Sequence, residues 1–180
     1  MNTTQKTYYL AYGMNTNKTE MARRCPAAIP LGKLTLPNYQ FVFRGVGDIL
    51  PTNNPNKFAQ CVLWEITPQC ELALDRLEGF PRFYIKEYFN LIFQGEIIKV
   101  MVYKMKHESY QLHDPSYHYW QCLVNGYKTY GLPIDQLFRG LPYNSTFKNQ
   151  WEVEYSDIQK IKNKRRKQNI QKAMWKNINF

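Results

Sequence analysis

Apolar residues arrive along this chain in short blocks separated by strong turn signals. Thr7 to Tyr12 (TYYLAY) is an aromatic-rich block ended by Gly13, which predicts a short buried strand. Past that turn, Asn15 or Thr16 is placed to cap a helix running through Glu20 to about Arg24, stopped by Pro26. Lys33 to Leu36 and Tyr39 to Arg44 read as paired strands, with Phe41 and Phe43 sharing one face. Gly45 to Lys57 holds two Gly, two Pro and three Asn, and predicts a loop. Ala59 to Ile66 is the next strand. Thr67 and Pro68 then supply a cap and first-turn pair for a helix ending at Gly79, and Cys70, Leu74 and Leu77 recur on its core-facing stripe. Phe83 to Phe93 and Ile97 to Met105 flank Gln94-Gly95, the signature of a hairpin. Asp114-Pro115 opens a longer helix whose stripe is Tyr119, Leu123, Tyr127 and Tyr130, closed by Gly131 and Pro133.

Strands dominate, three helices are inserted, and the order does not alternate as in a doubly wound fold. This pattern predicts an α+β domain with a small, curled, mainly antiparallel sheet flanked by helices. Composition agrees: hydrophobic residues make up 44%, and the 14 Tyr and 10 Phe belong to a folded core. The formal charge of +10 is concentrated at one end. From Ser156 to Phe180 eight Lys or Arg face one acidic residue, Asp157, so this stretch carries +7 and the first 155 residues +3. The expected organisation is therefore a domain at 1–155 and a basic helix or tail at 156–180. A tail of this kind leaves open a weak polyanion contact, and a homodimer is the other partnership left open. No apolar run approaches the ~20 residues that span a bilayer, and no leader pattern precedes Tyr8, so a cytoplasmic protein without a membrane span is expected. Cys25, Cys61, Cys70 and Cys122 show no metal-ligand spacing with one another or with His107, His113 and His118; free thiols and no metal site are expected.

Three places could carry chemistry. At Tyr12-Gly13-Met14-Asn15 a strand turns into a helix, leaving N–H groups that attract a carboxylate or a developing oxyanion. Gly13 there permits an unusual backbone angle and close approach of a ligand. Glu78 stands at a helix end beside Gly79, where the helix dipole and burial raise a carboxyl's proton affinity. The helix start Asp114 to Trp120 is crowded with aromatics that could wall a pocket. Taken singly, each also reads as a turn glycine, a solvated end-of-helix carboxylate or a set of core aromatics.

Their order and spacing together resemble one family, the γ-glutamylcyclotransferase-like (AIG2-like) proteins. The resemblance is carried by Tyr9-Leu10-Ala11-Tyr12-Gly13-Met14-Asn15, by Arg24-Cys25-Pro26, by Gly45-Val46-Gly47-Asp48-Ile49 and by Val62 to Ile66. It continues through Leu74-Asp75-Arg76-Leu77-Glu78-Gly79, Tyr84, Pro115 to Tyr119 and Tyr130 to Pro133. It implies a barrel-like sheet flanked by helices and no metal or organic cofactor. It also implies that Glu78 is the catalytic acid/base, that Tyr9, Leu10, Ala11, Tyr12, Gly13, Met14 and Asn15 form the substrate-gripping segment, and that Tyr119 contacts substrate.

The chemistry implied is cyclisation of a small γ-glutamyl peptide or amine to 5-oxoproline with release of the free amine. Nucleophile and electrophile lie in one molecule, so proximity favours closure and the difficulty is in moving protons and charge. Met14 stands where the family has serine, which bears on substrate preference more than on reaction type. Two other readings stay open at this point: a γ-glutamyl-ligand binder or regulator without catalysis, and a γ-glutamyl-lysine isopeptide cyclotransferase.

Overall fold

Strand β1 (Thr7–Ala11) is the hub of the molecule, and the residues that make it so are the apolar ones of the first block. A computed structural model describes residues 6–106 and 111–147. The chain divides into two compact units, Met1–Tyr143 and Asn144–Phe180, and the architecture below is that of the first. The expected boundary at 155/156 and the basic tail lie outside the described residues.

β1 pairs antiparallel with β5 (Phe58–Ile66) on one side and parallel with β7 (Glu96–Met105) on the other. β2 (Ile29–Pro37) joins the far edge of β5, and β6 (Tyr84–Phe93) joins β7, both antiparallel. The sheet order is thus β2-β5-β1-β7-β6, open at β2 and β6. A second, two-stranded sheet is the hairpin β3 (Tyr39–Phe43) with β4 (Gly47–Pro51). β3 packs against β5 and β4 against β7, so the hairpin closes over the sheet and gives the fold its curled form. The mixed α+β, mainly antiparallel architecture is the one expected. Leu10, Leu63, Leu74, Val100, Met101, Trp120, Leu123 and Tyr127 are fully buried and form the core.

Local chemistry sets the helix limits. Asn17 caps α1 (Lys18–Arg24) by accepting the Thr19 and Glu20 N–H groups at 3.0 and 3.2 Å. Asn15 and Thr16 lie instead in a short 3₁₀ turn, Met14–Thr16, that precedes the cap. Thr67 and Pro68 start α2 (Pro68–Glu78), with the Thr67 hydroxyl accepting the Cys70 N–H at 3.3 Å. Ser116 caps α3 (Tyr117–Tyr130), two residues after the expected Asp114, and Gly131 at φ 65° ends it. A fourth helix, α4 (Asp135–Gly140), was not signalled.

The expected pairing of residues 33–36 with 39–44 does not occur. Asn38, at φ 61°, turns the chain out of the first sheet, and β3 takes its partner from within the expected loop. That loop contains the block Ile49-Leu50, and Ile49 and Asp48 are completely buried. The Gln94–Gly95 hairpin forms as expected, with both residues at positive φ. Among the described residues no helix is long and apolar enough to cross a membrane.

Candidate active site

Glu78 owes its position to the way α2 stops. Gly79 adopts φ 62° and closes the helix immediately after Glu78. A side chain there would be strained by that angle, and its Cβ would lie 2.6 Å from the Phe83 ring. The carboxyl therefore sits at a fixed corner, where α2 meets the turn that follows β1.

A cavity of about 280 Å³ opens at this corner. Tyr9, Tyr12, Gly13, Met14, Asn15, Glu78 and Tyr119 all line it, so seven of the expected site residues converge. Leu10 and Ala11 do not line it; they are buried strand residues of β1 at 0% and 1% exposure. Arg24, Val46, Gly47, Leu77, Tyr84 and Tyr103 complete the wall. Leu77, expected in the core, is 50% exposed at this wall, because α2 turns only Cys70 and Leu74 fully inward.

A chain of hydrogen bonds holds the polar part of the wall. Arg24 Nη1 donates to Asn15 Oδ1 at 2.5 Å. Asn15 Nδ2 donates to Tyr9 Oη at 2.9 Å and reaches Glu78 Oε1 at 3.4 Å. Burial pushes the Glu78 carboxyl up to about 7, against the opposing pull of the Arg24 charge and the Asn15 amide. Desolvation, one of the two causes expected from sequence, is the largest. Burial also pushes the phenols of Tyr9 and Tyr119 up, Tyr119 to about 12, so both remain neutral hydroxyls.

Across the cavity, Tyr119 Oη accepts the Gly47 N–H at 2.9 Å, which pins the turn between β3 and β4 to this phenol. Gly13 is required here for space: a Cβ would lie 2.9 Å from Tyr119 Oη. Its φ of −101° is open to other residues, so the conformational argument from sequence does not apply and the close-approach argument does. Tyr12 Oη donates to the Tyr103 carbonyl at 2.8 Å, and Tyr103 Oη donates to Asp75 at 2.5 Å. Among the described residues no group of three or more His, Cys, Asp or Glu is placed to hold a metal ion. All four cysteines are free thiols.

The sequence matches the family profile "Gamma-glutamyl cyclotransferase, AIG2-like" over residues 9–122, more than half of the chain. The chain belongs to this family. The matched span contains every residue of the cavity wall, from Tyr9 to Tyr119. No curated protein matches the chain in sequence. Among solved structures, one described as "Gamma-glutamyl cyclotransferase" is 23% identical with a TM-score of 0.67, covering 79% of this chain and 92% of its own. An uncharacterised protein from Homo sapiens is likewise 23% identical with a TM-score of 0.65, covering 78% and 91%. YkqA from Bacillus subtilis is 19% identical with a TM-score of 0.58, covering 83% of this chain and 55% of its own. At these identities the likeness is one of fold.

For an AIG2-like chain, the residues missed from sequence fall into two kinds. Arg24, Val46 and Gly47 belong to stretches that carried the resemblance, so a signal existed but no role attached to it. Leu77 and Tyr84 lie in such stretches too, although helical spacing assigned Leu77 to the core; Tyr103 had no signal, since strand spacing does not tell which face meets a cavity.

Proposed function

We propose that this cavity binds a γ-glutamyl amide and converts it to 5-oxoproline and a free amine, with Glu78 carrying the proton. The observation that supports this most is a cavity-lining carboxyl whose proton affinity lies near neutrality, beside two neutral phenols and a donor amide. A group of that kind can take a proton and return it at the same pH.

Ionised Glu78 accepts a proton from the substrate's α-ammonium. The freed amine attacks the γ-carbonyl carbon, forming the ring C–N bond and placing negative charge on the carbonyl oxygen. The turn Gly13 to Asn15 lies where its backbone can face that oxygen, a contribution on the order of 3 kcal/mol per well-placed donor. Glu78 then gives its proton to the departing nitrogen as the original amide bond breaks, takes the second proton from the ring nitrogen and passes it to the released amine. The lactam is 5-oxoproline, and Glu78 returns to its ionised state. Tyr119, whose oxygen already accepts the Gly47 N–H, has its own proton left to donate to substrate. Met14 lines the wall, so the change from serine alters the side chain that substrate meets there.

The test is incubation of the full chain with γ-glutamyl amino acids, γ-glutamyl peptides and γ-glutamyl-lysine, following 5-oxoproline. Formation from at least one substrate, lost in Glu78→Gln, is the expected result. Ligand binding without turnover across the panel would replace this reading with that of a γ-glutamyl-ligand binder.

A further inference from the structure

The cavity has one cation in its wall, Arg24, and the proposed proton chemistry gives it nothing to do. Its surroundings do. Nη1 is bound to Asn15 Oδ1 at 2.5 Å and Nη2 faces Glu20 Oε2 at 3.2 Å. The side chain is 16% exposed, and its buried Nε has no hydrogen-bond partner among the described residues. Asn15 is 4% exposed and bridges α1 to the Glu78 corner.

An amide has one accepting and one donating end, and a guanidinium can only donate. Arg24 therefore dictates which end of Asn15 it meets. With Oδ1 held by Arg24, the NH₂ end must face Tyr9 Oη and Glu78 Oε1. The reverse orientation would set an amide oxygen against the Glu78 carboxylate and an NH₂ against the guanidinium. We propose that Arg24 is the positioning residue of this site: by gripping Asn15 it keeps a hydrogen-bond donor, backed by a positive charge, on the Glu78 carboxylate. This rests on the proposed role of Glu78.

The other groups facing Glu78 do not duplicate that role. Tyr9 from β1, Tyr12 just after it, Tyr103 from β7 and Tyr119 from α3 have their phenols pushed upward and are uncharged near neutrality. Tyr84 from β6 also lines the wall. Asp48 from β4 stands behind Tyr12 and is paired with Arg44. Glu20 lies on the far side of Arg24 and draws on the same guanidinium. Arg24 is the opposite charge that acts on Glu78, and together with Asn15 it opposes the effect of burial.

The test is to titrate the Glu78 carboxyl directly, by ¹³C-glutamate NMR or difference infrared spectroscopy, in the parent and in Arg24→Met, Arg24→Gln and Arg24→Lys. Removing the charge in Arg24→Met should raise the Glu78 midpoint by about one unit, cutting its ionised fraction at pH 7 from about a half to about a tenth. The low-pH limb of kcat should move upward by the same interval. Arg24→Lys, which keeps the charge, should bring the midpoint back toward the parent's. Arg24→Gln keeps an N–H donor and most of the packing, and carries the same test if Arg24→Met does not fold. A Glu78 midpoint unchanged in Arg24→Met or Arg24→Gln overturns the proposal. Because the titration needs no turnover, it is read even from a parent that forms no 5-oxoproline, the result that would instead remove the proposed function.

Discussion

Two carboxylates, Asp75 and Glu78, stand one turn apart on α2 and have been given opposite circumstances. Asp75 receives the Tyr103 hydroxyl at 2.5 Å and the Lys86 ammonium at 2.7 Å, and Lys86 is shared with Glu71 at 2.6 Å. Lys86 also lies over the Phe80 ring at 4.7 Å. Burial works against the Lys86 charge, but the hydrogen bonds it donates to Asp75 and Glu71, together with their charges, outweigh it and hold its proton affinity up. The oxygens of Asp75 are committed, and the residue ties α2 to β6 and β7. Among the described residues Glu78 has a single donor, at 3.4 Å; it faces a cavity and keeps its proton to about pH 7. Position along the helix is nearly the same for both. What separates a strut from a proton carrier is the number and closeness of the partners that arrive from other elements.

The sharpest way to break this contrast is to neutralise each carboxylate in turn. Glu78→Gln is expected to lower 5-oxoproline formation by roughly 100-fold or more while leaving the fold intact. Asp75→Asn is expected to destabilise by about 1–3 kcal/mol in denaturant unfolding, with kcat within several-fold of the parent once folded. Equal losses of kcat in the two variants would erase the distinction.

Stability against pH separates them further. The folded Glu78 midpoint of about 7 exceeds the ordinary carboxyl value of about 4.3, so the folded state binds the Glu78 proton more tightly than the unfolded one. The parent therefore loses this contribution as pH rises from about 4.3 through 7. Glu78→Gln has no proton to lose, and its thermal midpoint relative to the parent's should be higher at pH 8 than at pH 4. A pH-independent difference would show that the carboxyl is not desolvated in solution.

Smaller effects come from the opposite wall. Tyr119→Phe leaves the Gly47 N–H without its acceptor and should lower kcat/KM about tenfold, near the low end of what a lost buried hydrogen bond costs. An unchanged kcat/KM would mean that neither that turn nor the substrate depends on that phenol. Met14→Ser is the mildest change, expected to alter KM or substrate rank while the best-substrate kcat stays within a few fold; complete loss would assign the thioether a part in the reaction.

Much of this site could be read from residue order because strong local signals frame it. Thr67-Pro68 and Gly79 bracket α2 and so place Glu78 at its end, and Gly13 marks the turn that faces it. Those signals act within a few residues and survive any tertiary arrangement. What could not be read depends on elements that meet only in space. Leu77 keeps helical spacing with Cys70 and Leu74, yet that side of α2 opens on the cavity. Asp75 is met by Lys86 and Tyr103 from two strands that sequence alone cannot place beside it. Residues 39–43 looked like the partner of 33–36 because a two-residue turn separates them, whereas the buried pair Asp48 and Ile49 draws β3 to β4. Arg24 was visible within its motif, but its grip on Asn15 appears only when α1 lies against the turn after β1.

The central place of β1 also fixes when the site can exist. The strand that leads into Gly13 is flanked by residues 62–66 on one side and by Val100 and Met101 on the other. A chain emerging from the ribosome makes β1 before either neighbour, gains β5 by residue 66 and must wait until residue 105 for β7. Such contacts, distant in sequence, close slowly and leave an apolar strand uncovered in the interval. The cavity is therefore among the last features of the newborn protein to form, and nascent chains that end before β7 would carry Glu78 with only one of the two neighbours that hold β1 against it.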